Sequence, residues 1–297
     1  MRTTFNALFR NTLRDIQRTA EDYARAQQVT SSGLRVQKPS DDPSSAATGL
    51  TARADIRSLD RYRSAGDSVE SRLMVIDTVL SDIVRSVTSA QTRGAAGRST
   101  ILTPEQREAL ALEVEGVRET VFSAVTTSYR GMFVFAGSNT TAPPYTKVGN
   151  AVSSYQGDAR IVSVDVSRTS SAAVTLDAGA MLQGGAPQDL FGSLDALAAD
   201  IRSGNMTGID TRLGELDAAF ARVTHAQSRV GTTLSTLPTE QERMGQLRRA
   251  SDGRRSNAEE ANLAEAISEM TRAKQAYEAA IAATGTTQRL TLLDYLR

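Results

Sequence analysis

Apolar side chains recur along this chain at alternating steps of three and four residues, the rhythm of one face of an α-helix. The first run passes through Phe9, Leu13, Ile16, Ala20, Tyr23, Gln27, Thr30 and Leu34. A second takes Val69, Leu73, Ile76, Leu80, Ile83, Val87 and Ala90, and a third Leu110, Val114, Val117 and Val121. The fourth, Ile209, Leu213, Leu216, Phe220, Val223, Gln227, Val230, Leu234 and Leu237, holds a heptad step over about thirty residues. A fifth, Leu263, Ile267, Met270, Lys274, Tyr277, Ile281 and Thr284, follows near the C-terminus. Such spacing predicts long helical rods; one over residues 5–32 is about 42 Å long at 1.5 Å per residue.

Chemistry marks where these rods begin and end. Thr103-Pro-Glu-Gln106 has an N-cap hydroxyl, a proline where the first helical N–H needs no partner, and a glutamine placed to close a capping box. Ser256-Asn-Ala-Glu259 carries the same signal and predicts the start of the last helix there. Pro238 is expected to kink or stop the fourth rod, because it lacks a donor and clashes with the preceding turn. Between Gly131 and about Ala186 the period changes: Val162, Val164 and Val166 alternate with Ser163, Asp165 and Ser167 among Gly, Ser, Thr and Pro. That predicts a small β insertion between helical halves, with helix resuming at Leu190, Phe191, Leu194, Leu197 and Ile201.

The stretch GLRVQKPSDDPSSA, Gly33 to Ala46, breaks the first helix from the second. Gly33 lets the first rod end, Pro39 drives Lys38 toward extended geometry, and Ser40, Asp41 or Asp42 can cap a helix starting near Pro43. A cation site at Asp41 and Asp42 lacks converging ligands, so the segment reads as a connecting spoke.

Composition narrows the function. Acidic and basic side chains balance at 34 each, so the long-range field that gathers nucleic acid or an anionic membrane is missing. No cysteine is present, which excludes disulfides, thiolate catalysis and Cys-ligated zinc. Met1 to Ile16 carries three arginines and an aspartate without an apolar core, and is not expected to be a cleaved secretory signal. No apolar run reaches the roughly 20 residues needed to span a bilayer, so no membrane insertion is expected. There is one histidine, His225, and no nucleotide, zinc-protease or serine-hydrolase motif; neither an enzyme nor a cofactor is expected. His225, next to Val223, reads as a surface or partly buried helix residue. Arg248 to Arg255, RRASDGRR, reads as a solvated turn or an intersubunit charge pair.

The terminal rods stand apart. Their stripes are thinned by Gln27, Thr30, Lys274 and Thr284, and isolated helices with weak stripes are marginal in water. They can pair with each other, or wait for neighbouring copies. SSGLRVQKPSDDPSSA, GMFVFAG, NLAEAISEMTRAKQAYEAA and the final LTLLDYLR, in this order, resemble the bacterial flagellin family over roughly residues 1–137 and 205–297. KPSDDP and LLDYLR resemble its hook–filament junction branch more than filament flagellin.

The resemblance implies a mainly α fold. Residues 1–38 and 256–297 would form a terminal coiled-coil assembly domain, 39–137 and 188–255 a helical-bundle rod domain, and 138–187 a small β-rich outer insertion. It implies assembly through Phe9, Leu13, Ile16, Tyr23, Leu263, Ile267, Met270, Tyr277, Ile281, Leu292, Leu293 and Leu296, with Gly33, Pro39, Asp41, Asp42 and Pro43 as spoke and cap. It implies export by the flagellar type III route and location in the extracellular flagellum. The implied partners are further copies in a ring, hook-associated protein 1 on the hook side, flagellin on the filament side and an export chaperone. A filament subunit is the nearest alternative; a cytosolic helical scaffold whose ends bind a partner helix is the other.

Overall fold

A computed structural model describes residues 2–149, 151–185 and 189–295, with side chains of the terminal helices described from 10 to 285. Among the described residues the elements follow in order: α1 (Arg2–Ser32), α2 (Pro43–Gly97), α3 (Pro104–Val125), β1 (Ser128–Tyr129), β2 (Met132–Phe133), β3 (Lys147–Val148), β4 (Ala151–Val152), β5 (Ser163–Asp165), β6 (Ser171–Ala173), α4 (Ala178–Leu182), α5 (Leu190–Ser203), α6 (Met206–Glu259) and α7 (Leu263–Tyr295). The chain forms two compact units, Met1–Ser58 with Leu247–Arg297, and Leu59–Gln246.

In the second unit the sequence periodicity becomes a core. Val69, Leu73, Ile76, Leu80, Ile83, Val87 and Ala90 of α2 are all buried. On α6 every second stripe position, Ile209, Leu216, Val223, Val230 and Leu237, is buried, and the positions between them are partly covered. Polar bonds fix the register of the two helices: Gln91 to Asp217 at 2.6 Å, Gln227 to Ser81 at 2.8 Å and Gln241 to Asp67 at 3.0 Å. Helix α3 opens with the expected capping box at Thr103 and Gln106. It packs against α5, where Arg118 meets Asp195 and Arg202 bridges Glu108 and Glu115.

Among the described residues the β segment forms three separate antiparallel hairpins. Arg130 and Gly131, at φ 51 and 78, form the two-residue turn of the first, where both central residues need positive φ. Valine alternation holds through β5, with Ser163 and Asp165 exposed and Val164 half-buried, but Ser167 is buried, so it ends at the strand. Val134, Phe135 and Ala136 are fully buried, and Tyr145 lies edge-on to Phe191 at 5.0 Å.

Three expectations are corrected. Of the kink or stop expected at Pro238 the stop is overturned, since helix α6 runs through it. Val230, Leu237 and Met244, seven residues apart, stay buried across it, and this packing on both sides outweighs one lost backbone bond. Ser256 does not start the last helix: residues 256–259 close α6, and the Asn262 side chain caps α7 by accepting the Ala264 N–H at 3.1 Å. Arg248 to Arg255 form no turn but lie inside α6; Arg254 faces Asp55 at 3.5 Å and Arg255 pairs with Asp252 and Glu260 within the chain.

Phe191 is buried between Phe122 and Tyr145, so Phe191→Ala should lower the unfolding free energy by about 3–5 kcal/mol. Ile101→Ala, at a residue 89% exposed, should change it by no more than about 0.5 kcal/mol. Urea titrations of both variants check the pair.

Candidate assembly site

Helices α1 and α7 lie antiparallel: Tyr23 stacks on Tyr277 with ring centroids 6.2 Å apart, and seven residues further on the Thr30 hydroxyl donates to the Ala266 carbonyl at 3.3 Å. The covered positions step by fours and threes. On α1 they include Ile16, Thr19, Tyr23, Ala26 and Thr30; on α7, Ala266, Met270, Ala273, Tyr277 and Ala280. Most of these side chains are small or carry hydroxyls, and nearly all remain partly exposed. Such a seam buries little apolar area, in contrast to the α2 and α6 stripes.

The predicted stripes therefore divide. Ile16, Tyr23, Met270 and Tyr277 enter the seam, while Leu13, Leu263, Ile267 and Ile281 stay about half exposed on the outside. The side chains of Phe9, Leu292 and Leu293, and all of Leu296, lie outside the described residues.

The break between α1 and α2 is an elbow with every part assigned. Gly33 adopts φ +69, its N–H closes the last turn of α1 on the Val29 carbonyl, and its own carbonyl accepts the Ala261 N–H at 2.8 Å. Pro39 sits at the second position of a β-turn closed by the Asp41 N–H on the Lys38 carbonyl at 3.0 Å. Asp41 turns back to accept the Lys38 and Gln37 N–H groups at 2.9 and 3.1 Å. Asp42 caps α2 through the Ser45 N–H at 3.1 Å and also accepts the Ser44 hydroxyl and Arg35. These donors occupy both carboxylates and hold both below the usual carboxylate range: Lys38 and Gln37 backbone for Asp41, Ser45 foremost for Asp42.

Sequence reasoning missed what locks the elbow in place. The Glu259 carbonyl accepts the Arg35 and Val36 N–H groups at 2.7 and 3.3 Å, and its buried carboxylate accepts Arg53 at 2.6 Å. Arg35 also donates to the Ala258 carbonyl at 2.9 Å. Gly49 lies against this carboxylate, and a Cβ there would come within 1.9 Å of a Glu259 oxygen. Gly49 was the available signal, because a glycine inside a helix costs stability against alanine and is kept for a packing reason.

His225 is exposed, and among the described residues no three His, Asp or Glu side chains converge as a metal site. A weakly covered pair of terminal helices leads through an elbow into helices of more than fifty residues, with β hairpins between the halves. The chain belongs to the bacterial flagellin family: its N-terminal helical region matches residues 4–140 and its C-terminal helical region residues 213–296. This family is structural and not enzymatic.

Among relatives, flagellar hook-associated protein 3 of Escherichia coli is 25% identical over 213 residues, covering 68% of this chain and 67% of that protein. The Salmonella typhimurium protein of the same name is 25% identical over 172 residues, covering 57% of this chain and 53% of its own length. The chain thus spans between half and two thirds of these relatives. The flagellar junction protein FlgL of Legionella pneumophila shares the fold at a TM-score of 0.60 and 12% identity, over 72% of this chain and all of that structure.

Because the Asp41 and Asp42 carboxyls are depressed in the fold, their stabilisation is complete above the unfolded value of about 3.9 and is lost as pH falls through the lower folded values. The thermal-midpoint difference between the protein and Asp42→Ala should therefore stay constant from about pH 5 to 8 and shrink only in stronger acid. Gly49→Ala should displace the Glu259 carboxylate from Arg53 and cost about 1–3 kcal/mol, read by thermal unfolding.

Proposed function

We infer that the chain is a structural subunit of the bacterial flagellum that forms the hook–filament junction, outside the cell. The observation that carries this is the match of both terminal halves to flagellin helical regions, together with the similarity to hook-associated protein 3 in two organisms. Residues 1–38 with 256–297 serve as the assembly domain, 39–137 with 188–255 as the rod, and 138–187 as the outer insertion. Copies of the chain form a ring, with hook-associated protein 1 on the hook side and flagellin on the filament side.

Export follows the flagellar type III route with a chaperone's help. A chain without disulfides has no crosslink to undo before threading a narrow channel. The assembly residues are the exposed Leu13, Leu263, Ile267 and Ile281, with Ile16, Tyr23, Met270 and Tyr277 holding the pair on which they are displayed. The same role is proposed for Phe9, Leu292, Leu293 and Leu296. Gly33, Pro39, Asp41, Asp42 and Pro43 form the spoke.

Deletion of the gene should leave cells with hooks but no filaments, and flagellin unpolymerised in the medium; normal filaments on the deletion strain overturn the junction role. The number of copies per flagellum separates a junction ring from a filament subunit. Ile267→Asp and Ile281→Asp place a carboxylate at side chains that are half exposed in the free chain. The purified variants should keep the helical circular dichroism of the parent and still reach the medium, yet be depleted from purified hook–filament structures. Normal incorporation, or an unfolded variant, contradicts the assigned role of these side chains.

A further inference from the structure

Helix α4 and the chain around β5 and β6 leave one face of α6 partly uncovered. Ile161, Leu176 and Met181 on one side, and Ala226 of α6 on the other, line a groove of about 390 Å³. Met181 is buried, whereas Ile161 is a large aliphatic side chain left 40% exposed. Arg222, His225, Ala226 and Arg229 complete the α6 side at positions i, i+3, i+4 and i+7, a single face of the helix.

Two of the charged groups on this groove are already engaged. Arg222 donates to the Met181 and Leu182 carbonyls at 3.2 and 3.0 Å, closing the end of α4, and Asp177 caps its start by accepting the Ala180 N–H at 3.2 Å. His225 and Arg229 are exposed and, among the described residues, their side chains take no hydrogen bond or ion pair. Grooves elsewhere differ. Between α1 and α7 the charges of Asp22, Arg25, Glu269 and Arg272 balance, and beside α5 Glu215 is held by Ser193 and Arg212. The α6 groove instead keeps a spare guanidinium next to an apolar floor.

We propose that this groove docks an acidic, amphipathic segment of another protein, with an apolar side chain against Ile161, Leu176 and Ala226 and a carboxylate on Arg229. A planar guanidinium takes a carboxylate through two parallel N–H bonds, and an apolar floor beside the pair keeps water from competing for it. Charge decides the class of occupant. A phosphate backbone or an anionic lipid surface is gathered by a broad basic field, and a chain with 34 acidic and 34 basic residues supplies none. A second copy of this chain fits less well through its exposed Leu112, because the neighbouring Glu113 and Glu115 already bind Arg93 and Arg202. The proposal does not depend on the role of α1 and α7, since every residue of the groove belongs to the unit Leu59–Gln246.

The probe is a short fluorescein-labelled helical peptide with leucine and glutamate repeating at helical spacing, beside a twin in which lysine replaces every glutamate. Both are titrated with the full purified chain by fluorescence anisotropy. The glutamate peptide should bind about tenfold or more tightly than its twin. Arg229→Ala and Ile161→Ser should each weaken it about fivefold, and Arg229→Glu should reverse the preference between the twins. Both positions are exposed, so these variants should keep the parent's circular dichroism. Arg130→Ala, at an exposed arginine outside the groove, should leave binding unchanged. No binding, equal binding of the twins, or the same loss on Arg130→Ala as on Arg229→Ala overturns the proposal. Tighter binding to phosphatidylglycerol vesicles than to the peptide overturns it in favour of a lipid site, and self-association of the free chain that Ile161→Ser abolishes overturns it in favour of a second copy.

Discussion

The segment after α1, the first turns of α2 and the end of α6 come together at Glu259. Its carbonyl receives the backbone of Arg35 and Val36, its buried carboxylate receives Arg53, and Gly49 leaves the room that carboxylate occupies. The Glu259 carboxylate is buried while Arg53 is half exposed, so removing Arg53 would leave a buried carboxylate without its charged partner. Once the segment after Gly33 is anchored there, α1 and α7 leave from adjacent points, and the antiparallel register of Tyr23 on Tyr277 follows.

Two grades of packing result. In the unit of Leu59–Gln246, stripes of Val, Leu and Ile are covered on α2 and α6, and α3, the segment before β3 and α5 add an aromatic cluster of partly covered Phe122 with buried Tyr145 and Phe191. The α1–α7 seam instead consists mostly of alanine, threonine and one tyrosine stack beside Ile16 and Met270, with Leu13, Leu263, Ile267 and Ile281 turned outward. A helix pair of that kind is held in place by its anchor more than by its own seam. Under the proposed assembly role, its exposed Leu13, Leu263, Ile267 and Ile281 are the surface that a neighbour would cover.

Much of this was legible in the residues. Sealed stripes on α2 and α6 repeat the heptad steps read from the sequence, and the Thr103 capping box formed as spelled. Local signals failed where tertiary packing overrode them: the buried Leu237 and Met244 carry α6 past Pro238, and Ser256 spends its hydroxyl on Glu260 at 2.6 Å instead of capping a helix. The terminal stripes were legible only as a blend, because a 4-3 step that includes Ile267, Met270 and Lys274 drifts across two faces. Separating seam from flank required the partner helix. The Glu259 node joins residues more than two hundred positions apart, and only Gly49 hinted at it.

The central claim is that the terminal pair is intrinsically weak and depends on neighbours for cover. Hydrogen exchange of the purified free chain tests it most directly, because protection reports the free energy of local opening. Amides of residues 12–30 and 266–284 should exchange at least a hundredfold faster than those of residues 73–90 and 209–230. Equal protection in the four segments would show that the α1–α7 seam is a finished core, and would contradict the account.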